Sequence, residues 1–204
     1  MTDTAAARRN RRETPDQTRE SILQAAYDEF AEKGKAGASM RAIARRADCV
    51  QSLISHHFGS KDELWNTVTG QIADDWFTDG GPLLDIEEPT EEDLRQLLMT
   101  LWKFWETNPS ALRMMSWRLL EADPGQGAGP SSAGFQRFHK AILRAQSNGV
   151  VRRDVPATIA LMTVYSTVTQ ACLAAQAIGE PSSEVITADG VVGGLIQLLK
   201  APTP

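Results

Sequence analysis

Gln51, Ser52, Ser55 and His57 fall within one short stretch of the chain, and their chemistry is that of recognition. A side-chain amide such as Gln51 donates and accepts at once, which suits the adenine edge in a major groove; a hydroxyl such as Ser52 adapts to either polarity. Ser39 and Ser60 stand where helices can begin, and the free amides of a helix start attract phosphate. Arg41 and Lys61 follow them and would add charge that positions a polyanion without reading it. Catalytic patterns are missing. The three histidines, His56, His57 and His139, have no metal-ligand spacing, and no Gly-x-Ser-x-Gly elbow or argued pair of carboxylates is present. Gly125-Gln126-Gly127-Ala128-Gly129 is rich in glycine, but no strand precedes it and no Lys-Ser/Thr follows, so it reads as a flexible loop. No catalytic residue, no metal site and no cofactor are expected.

Helices must position these residues. Thr14-Pro15-Asp16-Gln17 is a capping box with proline at the first helical position, and Ile22, Ala26 and Phe30 follow at helical spacing up to Gly34. Ser39 caps a short second helix, Met40 to Arg46, whose inner face is Met40, Ile43 and Ala44. Ala47-Asp48-Cys49-Val50 is long enough only for a turn. A third short helix, about 51–57, turns Leu53, Ile54 and Phe58 inward. Ser60-Lys61-Asp62-Glu63 is a second capping box and opens a longer helix through Leu64, Val68 and Ile72 towards Phe77. Gly80, Gly81, Pro82 and Pro89 make 78–89 a loop. Further helices are expected at about 91–107, 109–122, 131–148, 157–178 and 182–200. The fold class is all-α: a three-helix, helix-turn-helix head at the N-terminus joined to a larger C-terminal bundle, about nine helices in all. The expected divisions are a polar arm over 1–13, the helix-turn-helix over 14–60, and the body over 61–204.

Bulk composition agrees with that division. The 204 residues carry a net charge of -5. Residues 1–65 hold 11 Lys+Arg and 10 Asp+Glu, and the remainder 10 and 16, so an almost neutral head sits on an acidic body. The arm carries Arg8, Arg9, Arg11 and Arg12, which either follow phosphates and enter a minor groove or are simply solvated. Cys49 and Cys172 form no disulfide framework, and no apolar run follows the N-terminal arginines. From Val155 to Gly179 no residue is charged, long enough for a membrane span, but Thr158, Thr163, Thr167, Thr169, Ser166, Gln170 and Gln176 make lipid an expensive solvent for it. No membrane association is expected, and the cytoplasm is the expected location.

Arg19-x-x-Ile22-Leu23-x-Ala25-Ala26-x-x-x-Phe30-x-x-x-Gly34, then Ser39-Met40-x-x-Ile43-Ala44-x-x-Ala47, then His56-His57-Phe58-x-Ser60-Lys61-x-x-Leu64, resembles the DNA-binding domain of the TetR (tetracycline repressor) family. The match covers about a quarter of the chain. The resemblance implies a homodimeric repressor with a C-terminal pocket for a small-molecule inducer. Carried over by position, it implies that Gln51, Ser52 and Leu53 face bases of a double-stranded operator, and that Ser39, Arg41, Ser55, His57 and Lys61 face phosphates. The sequence departs from the family at three places: Asp48 replaces a usual glycine, Val50 replaces a capping Ser or Thr, and Ser55 replaces a frequent Tyr. Asp tolerates a left-handed backbone, so the turn can survive.

In the body, Trp76, Trp102, Trp105, Met114, Met115, Trp117, Arg118, Phe138 and Tyr165 are candidate pocket residues, with His139 and Gln170 as further polar groups. The same aromatic and methionine side chains also fill ordinary cores. Residues of about 157–199, apolar on several faces, are expected to form the homodimer interface. The alternative to a ligand-responsive, DNA-binding repressor is a helical ligand-binding or protein-interaction module without sequence-specific DNA binding.

Overall fold

Thr14 accepts a hydrogen bond from the Gln17 amide at 3.3 Å while the Thr14 amide donates to Gln17 Oε1 at 3.0 Å, so the capping box opens the first helix as the sequence predicts. The computed structural model describes residues 14–121, 133–178 and 186–201. Among these lie nine helices: α1 (Pro15–Gly37), α2 (Met40–Arg46), α3 (Gln51–Phe58), α4 (Lys61–Leu84), α5 (Glu91–Thr107), α6 (Pro109–Leu120), α7 (Ala133–Ser147), α8 (Ala157–Ile178) and α9 (Ala188–Leu199). The one β feature among the described residues is an isolated antiparallel bridge between Val151 and Lys200. The fold is all-α, a helix-turn-helix head followed by a C-terminal helical domain. The arginine arm, the 125–129 glycines and the start of the expected last helix fall outside the described residues.

The chain forms two compact units, 1–68 and 69–204. In the first, α1 is regular up to Gly34, which adopts φ 68° and kinks the helix before its last turn. Ile22, Phe30, Ile43, Ile54 and Leu64 are fully buried there. Phe30 meets Trp65 edge to face at 5.0 Å, and the Arg19 guanidinium covers the Phe58 ring at 5.2 Å. Because Leu64, Trp65 and Val68 are buried, the first unit runs past Ser60 to Val68. One ionic group also lies in this core. Glu29 is 1% exposed and accepts from Lys33 Nζ at 2.7 Å and from Arg46 Nε at 3.0 Å, which ties α2 to α1.

In the second unit α8 packs against α5, α6, α7 and α9. It is long and apolar enough to cross a membrane by composition, yet Ala160, Leu161, Val164, Val168 and Cys172 are buried against its neighbours. The expected loop over 78–89 is corrected: α4 continues through Pro82 to Leu84. The glycines serve close packing here instead of a turn. A Cβ on Gly80 would lie 2.5 Å from the Trp76 ring, and one on Gly81 3.1 Å from the Arg137 guanidinium. Side chains of α7 then satisfy the end of α4. Arg137 donates to Gly81 O at 3.2 Å and to Asp85 at 2.6 Å; Arg144 donates to Leu84 O at 3.2 Å and to Glu87 at 3.0 Å.

Candidate nucleic-acid interface

The turn between α2 and α3 fixes the interface. Ala47 ends α2, Asp48 takes φ 49°, and the Cys49 amide donates back to Ala44 O at 3.0 Å, closing the turn on an α2 carbonyl. Asp48 is the one non-glycine residue with positive φ among those described, so the aspartate does adopt the left-handed conformation usually given to glycine. Val50 precedes α3 with no side-chain cap, as its identity predicts. At the far end Gly59, with φ 74°, passes the chain to α4, where Glu63 accepts from the Ser60 amide and hydroxyl, both at 2.8 Å. Those two hydrogen bonds hold the Glu63 carboxyl below its usual value.

The packing of α3 decides what it presents. Ile54 and Phe58 are buried, while Gln51, Ser52, Ser55 and His56 are exposed and Leu53 and His57 half-buried. Gln51 and Ser52 therefore stand in solvent at the start of the helix, ahead of the residues that anchor it. On α2 the inner side is Ala42, Ile43 and Ala44, and Ser39 caps by accepting from the Ala42 amide at 3.1 Å. Arg41 is exposed and makes no hydrogen bond or ion pair among the described residues. Lys61 is half-buried, and its ammonium donates to Ala38 O at 3.1 Å, so part of its hydrogen-bonding capacity is used inside the head.

Three residues near this surface were not singled out as contacts from the sequence. Arg45 lies one turn beyond Arg41 and is exposed in the same way; i, i+4 spacing would have found it. His56 points away from the Ile54–Phe58 side at 100° per residue, and its ring meets His57 at 5.5 Å. Val50, read only as a missing cap, is 66% exposed.

The architecture is matched in known proteins. Residues 22–68 match the description "Bacterial regulatory proteins, tetR family", and residues 93–189 match "Tetracyclin repressor-like, C-terminal domain". The chain belongs to the TetR family of transcriptional regulators. Similar relatives include the HTH-type transcriptional repressor NicS of Pseudomonas putida, 27% identical and covering 76% of each chain, and the repressor SCO4008 of Streptomyces coelicolor, 29% identical over 70% of this chain and 72% of that one. The repressor Rv3405c of Mycobacterium tuberculosis is 42% identical over 35% of this chain and 36% of its own. Among solved structures, a regulator from Shewanella sp. PV-4 has a TM-score of 0.72 at 16% identity, covering 91% of this chain and 99% of that one. The ketosteroid regulator KstR2 of Mycobacterium tuberculosis has a TM-score of 0.66 at 17% identity, covering 90% and 95%.

In the C-terminal domain of this TetR-family regulator the candidate pocket residues fall into two groups. The Trp76 and Phe138 rings lie 4.7 Å apart, tilted by 30°, with Phe77 at 5.1 Å from Trp76. Phe138 also lines an apolar cleft with Leu94, Leu98, Ile142, Leu161 and Val164; its cavity volume of about 20 Å³ has room for about one water. Trp102, Trp105 and Met114 are buried on α5 and α6, while Met115, Trp117, Arg118 and Tyr165 are half-buried. Burial pushes the Tyr165 phenol up, partly offset by the charge of Arg118. The indole Nε1 atoms of Trp76, Trp105 and Trp117 are buried with no hydrogen-bond partner among the described residues. Trp102 instead donates to Glu106 at 3.2 Å, and His139 hydrogen-bonds Thr158 at 3.3 Å while stacking on Phe135. No group of three or more His, Cys, Asp or Glu suited to a metal occurs among the described residues.

The expected interface helices spend part of their apolar side chains within one protomer. Thr169 and Cys172 of α8, and Val192, Leu195, Ile196 and Leu199 of α9, are buried in the domain core. The large apolar side chains left outward are Ile159, Met162 and Ile178 on α8 and Leu198 on α9, with Ser166 and Gln170 of α8 and Gly190 and Gly194 of α9 among the exposed residues beside them.

Proposed function

We propose that this protein is a ligand-responsive transcriptional repressor that binds a palindromic operator as a homodimer and releases it when a small molecule occupies the C-terminal domain. The observation that supports this most is the polarity of α3: Ile54 and Phe58 seat the helix, which leaves Gln51 and Ser52 outward at its start. In this reading Gln51, Ser52 and Leu53 face bases, and Ser39, Arg41, Ser55, His57 and Lys61, joined by Arg45, face phosphates. The outward face of α8 and α9 carries the second protomer, which sets two recognition helices about 34–36 Å apart, one DNA turn. The effector sits among the tryptophans, whose unpartnered indole donors favour a ligand with hydrogen-bond acceptors. The 20 Å³ cleft beside Phe138, which no tryptophan lines, is too small for such a ligand, so room must open in the domain on binding, since small-molecule sites span roughly 300–1,000 Å³. Helix α4 contributes to both compact units. A ligand that displaces its second half would swing its first half and change the half-site spacing.

Operator binding by the intact protein at several salt concentrations tests the reading. Gln51→Ala should lose about 1–3 kcal/mol on the preferred sequence and relax specificity there. Arg41→Ala should weaken binding to all sequences alike and reduce the salt slope by about 1. A wild-type protein with no sequence preference would favour the alternative, a helical interaction module.

A further inference from the structure

We propose that Val50 is a specificity-determining residue that reads the 5-methyl group of a thymine in each operator half-site. The proposal rests on the DNA-binding reading above and names a recognition element within it. Within 14–68, Val50 is the one large apolar side chain left exposed among the described residues, at 66%. All its apolar neighbours in the head are buried or half-buried. Its position has no structural use for an isopropyl group. Val50 is the residue before α3, with extended backbone (φ -84°, ψ 144°); only its carbonyl works there, accepting from the Leu53 amide at 3.0 Å. A cap position rewards a side-chain oxygen, and Val supplies none.

The exposed side chain stands directly before Gln51 and Ser52, which are exposed on the same helix start. Recognition helices present their first residues to base edges, so the side chain at the cap enters the groove with them. Polar edges cover most of a major groove floor, and the thymine methyl is its one apolar protrusion. An exposed valine can bury surface there and nowhere else on that edge. Discrimination against a base lacking the methyl follows from the loss of one apolar contact, a factor of about four.

The test uses the full chain. Preferred duplexes are selected from a random pool, and each thymine in the recovered site is replaced in turn by deoxyuridine, which lacks the methyl and pairs identically. Wild type should lose about fourfold at one thymine of each half-site. Val50→Ala should bind the thymine and deoxyuridine duplexes equally at that position. Val50→Ser, which restores a cap oxygen, should melt at a higher temperature and yet also lose the methyl preference, separating reading from folding. Gln51→Ala should change the preference at a different base pair and keep the methyl effect. A wild type indifferent to every uracil, or a methyl effect that survives in Val50→Ala, would overturn the proposal while leaving the regulator intact. A pool that yields no preferred sequence overturns both.

Discussion

Glu29 shows how one side chain holds the reading head together. Burial alone would raise its carboxyl, but Lys33 and then Arg46 outweigh it and hold the group below its ordinary value of 4.5. A carboxylate whose folded value is depressed stabilises fully above the unfolded value, and that contribution is lost as pH falls through the lower folded one. Melting temperature should therefore fall on acidification below about pH 4.5, and Glu29→Gln should remove that part of the dependence. At neutral pH the substitution should cost about 1–2 kcal/mol by urea denaturation, below the usual figure for a buried charged hydrogen bond because Lys33 and Arg46 are 45% and 34% exposed. The outward placement of Gln51 and Ser52 was legible residue by residue, because they sit beside an apolar pair, Ile54 and Phe58, whose spacing sets the inward side. The role of Glu29 was not: an acidic residue on an amphipathic helix reads as solvated until the element that crosses it is known.

At the scale of elements, the turn before α3 carries a measurable strain. Asp48 holds φ 49°, a conformation that costs a side chain about 1 kcal/mol and glycine almost nothing. Asp48→Gly should thus raise stability by up to about 1 kcal/mol, and Asp48→Val should lower it by more, as read from denaturation midpoints. Helix starts were legible where a hydroxyl cap and its partner lay three residues apart, as at Thr14 and Ser60; the same box at Thr90 and Asp93, which opens α5, was not singled out. The bounds of α5 and α8 also followed from local signals. The end of α4 was misread because glycine and proline carry two meanings. In Gly80-Gly81-Pro82 they admit Trp76 and Arg137 closely; Trp76 is on α4 itself, but Arg137, which ties down the end of the helix, lies on α7, more than 50 positions on.

At the scale of the whole molecule, the apolar count of α8 and α9 showed that these helices carry more apolar surface than one face needs, but not which of it the protomer's own core takes. Only packing against α5 and α7 shows that Cys172 and Leu195 are spent internally while Ile159 and Leu198, at 54% and 66% exposure, are not. The Gly194 position opens onto free space, where a Cβ would meet nothing within 4 Å, so a second backbone can come close. Ile159→Glu together with Leu198→Glu should leave the protomer folded by circular dichroism but shift sedimentation towards monomer. Operator affinity should fall at least tenfold with it, since a single head holds only half the site. Unchanged sedimentation would count against this face as the contact of the proposed dimer.

The arginine strap from α7 also sets an order of events during synthesis. The last carbonyls of α4 find their donors on Arg137 and Arg144, which leave the ribosome long after Leu84 does. Until then the carbonyls of Gly81 and Leu84 have water as their donor, so the first unit can settle while the end of α4 is still fraying.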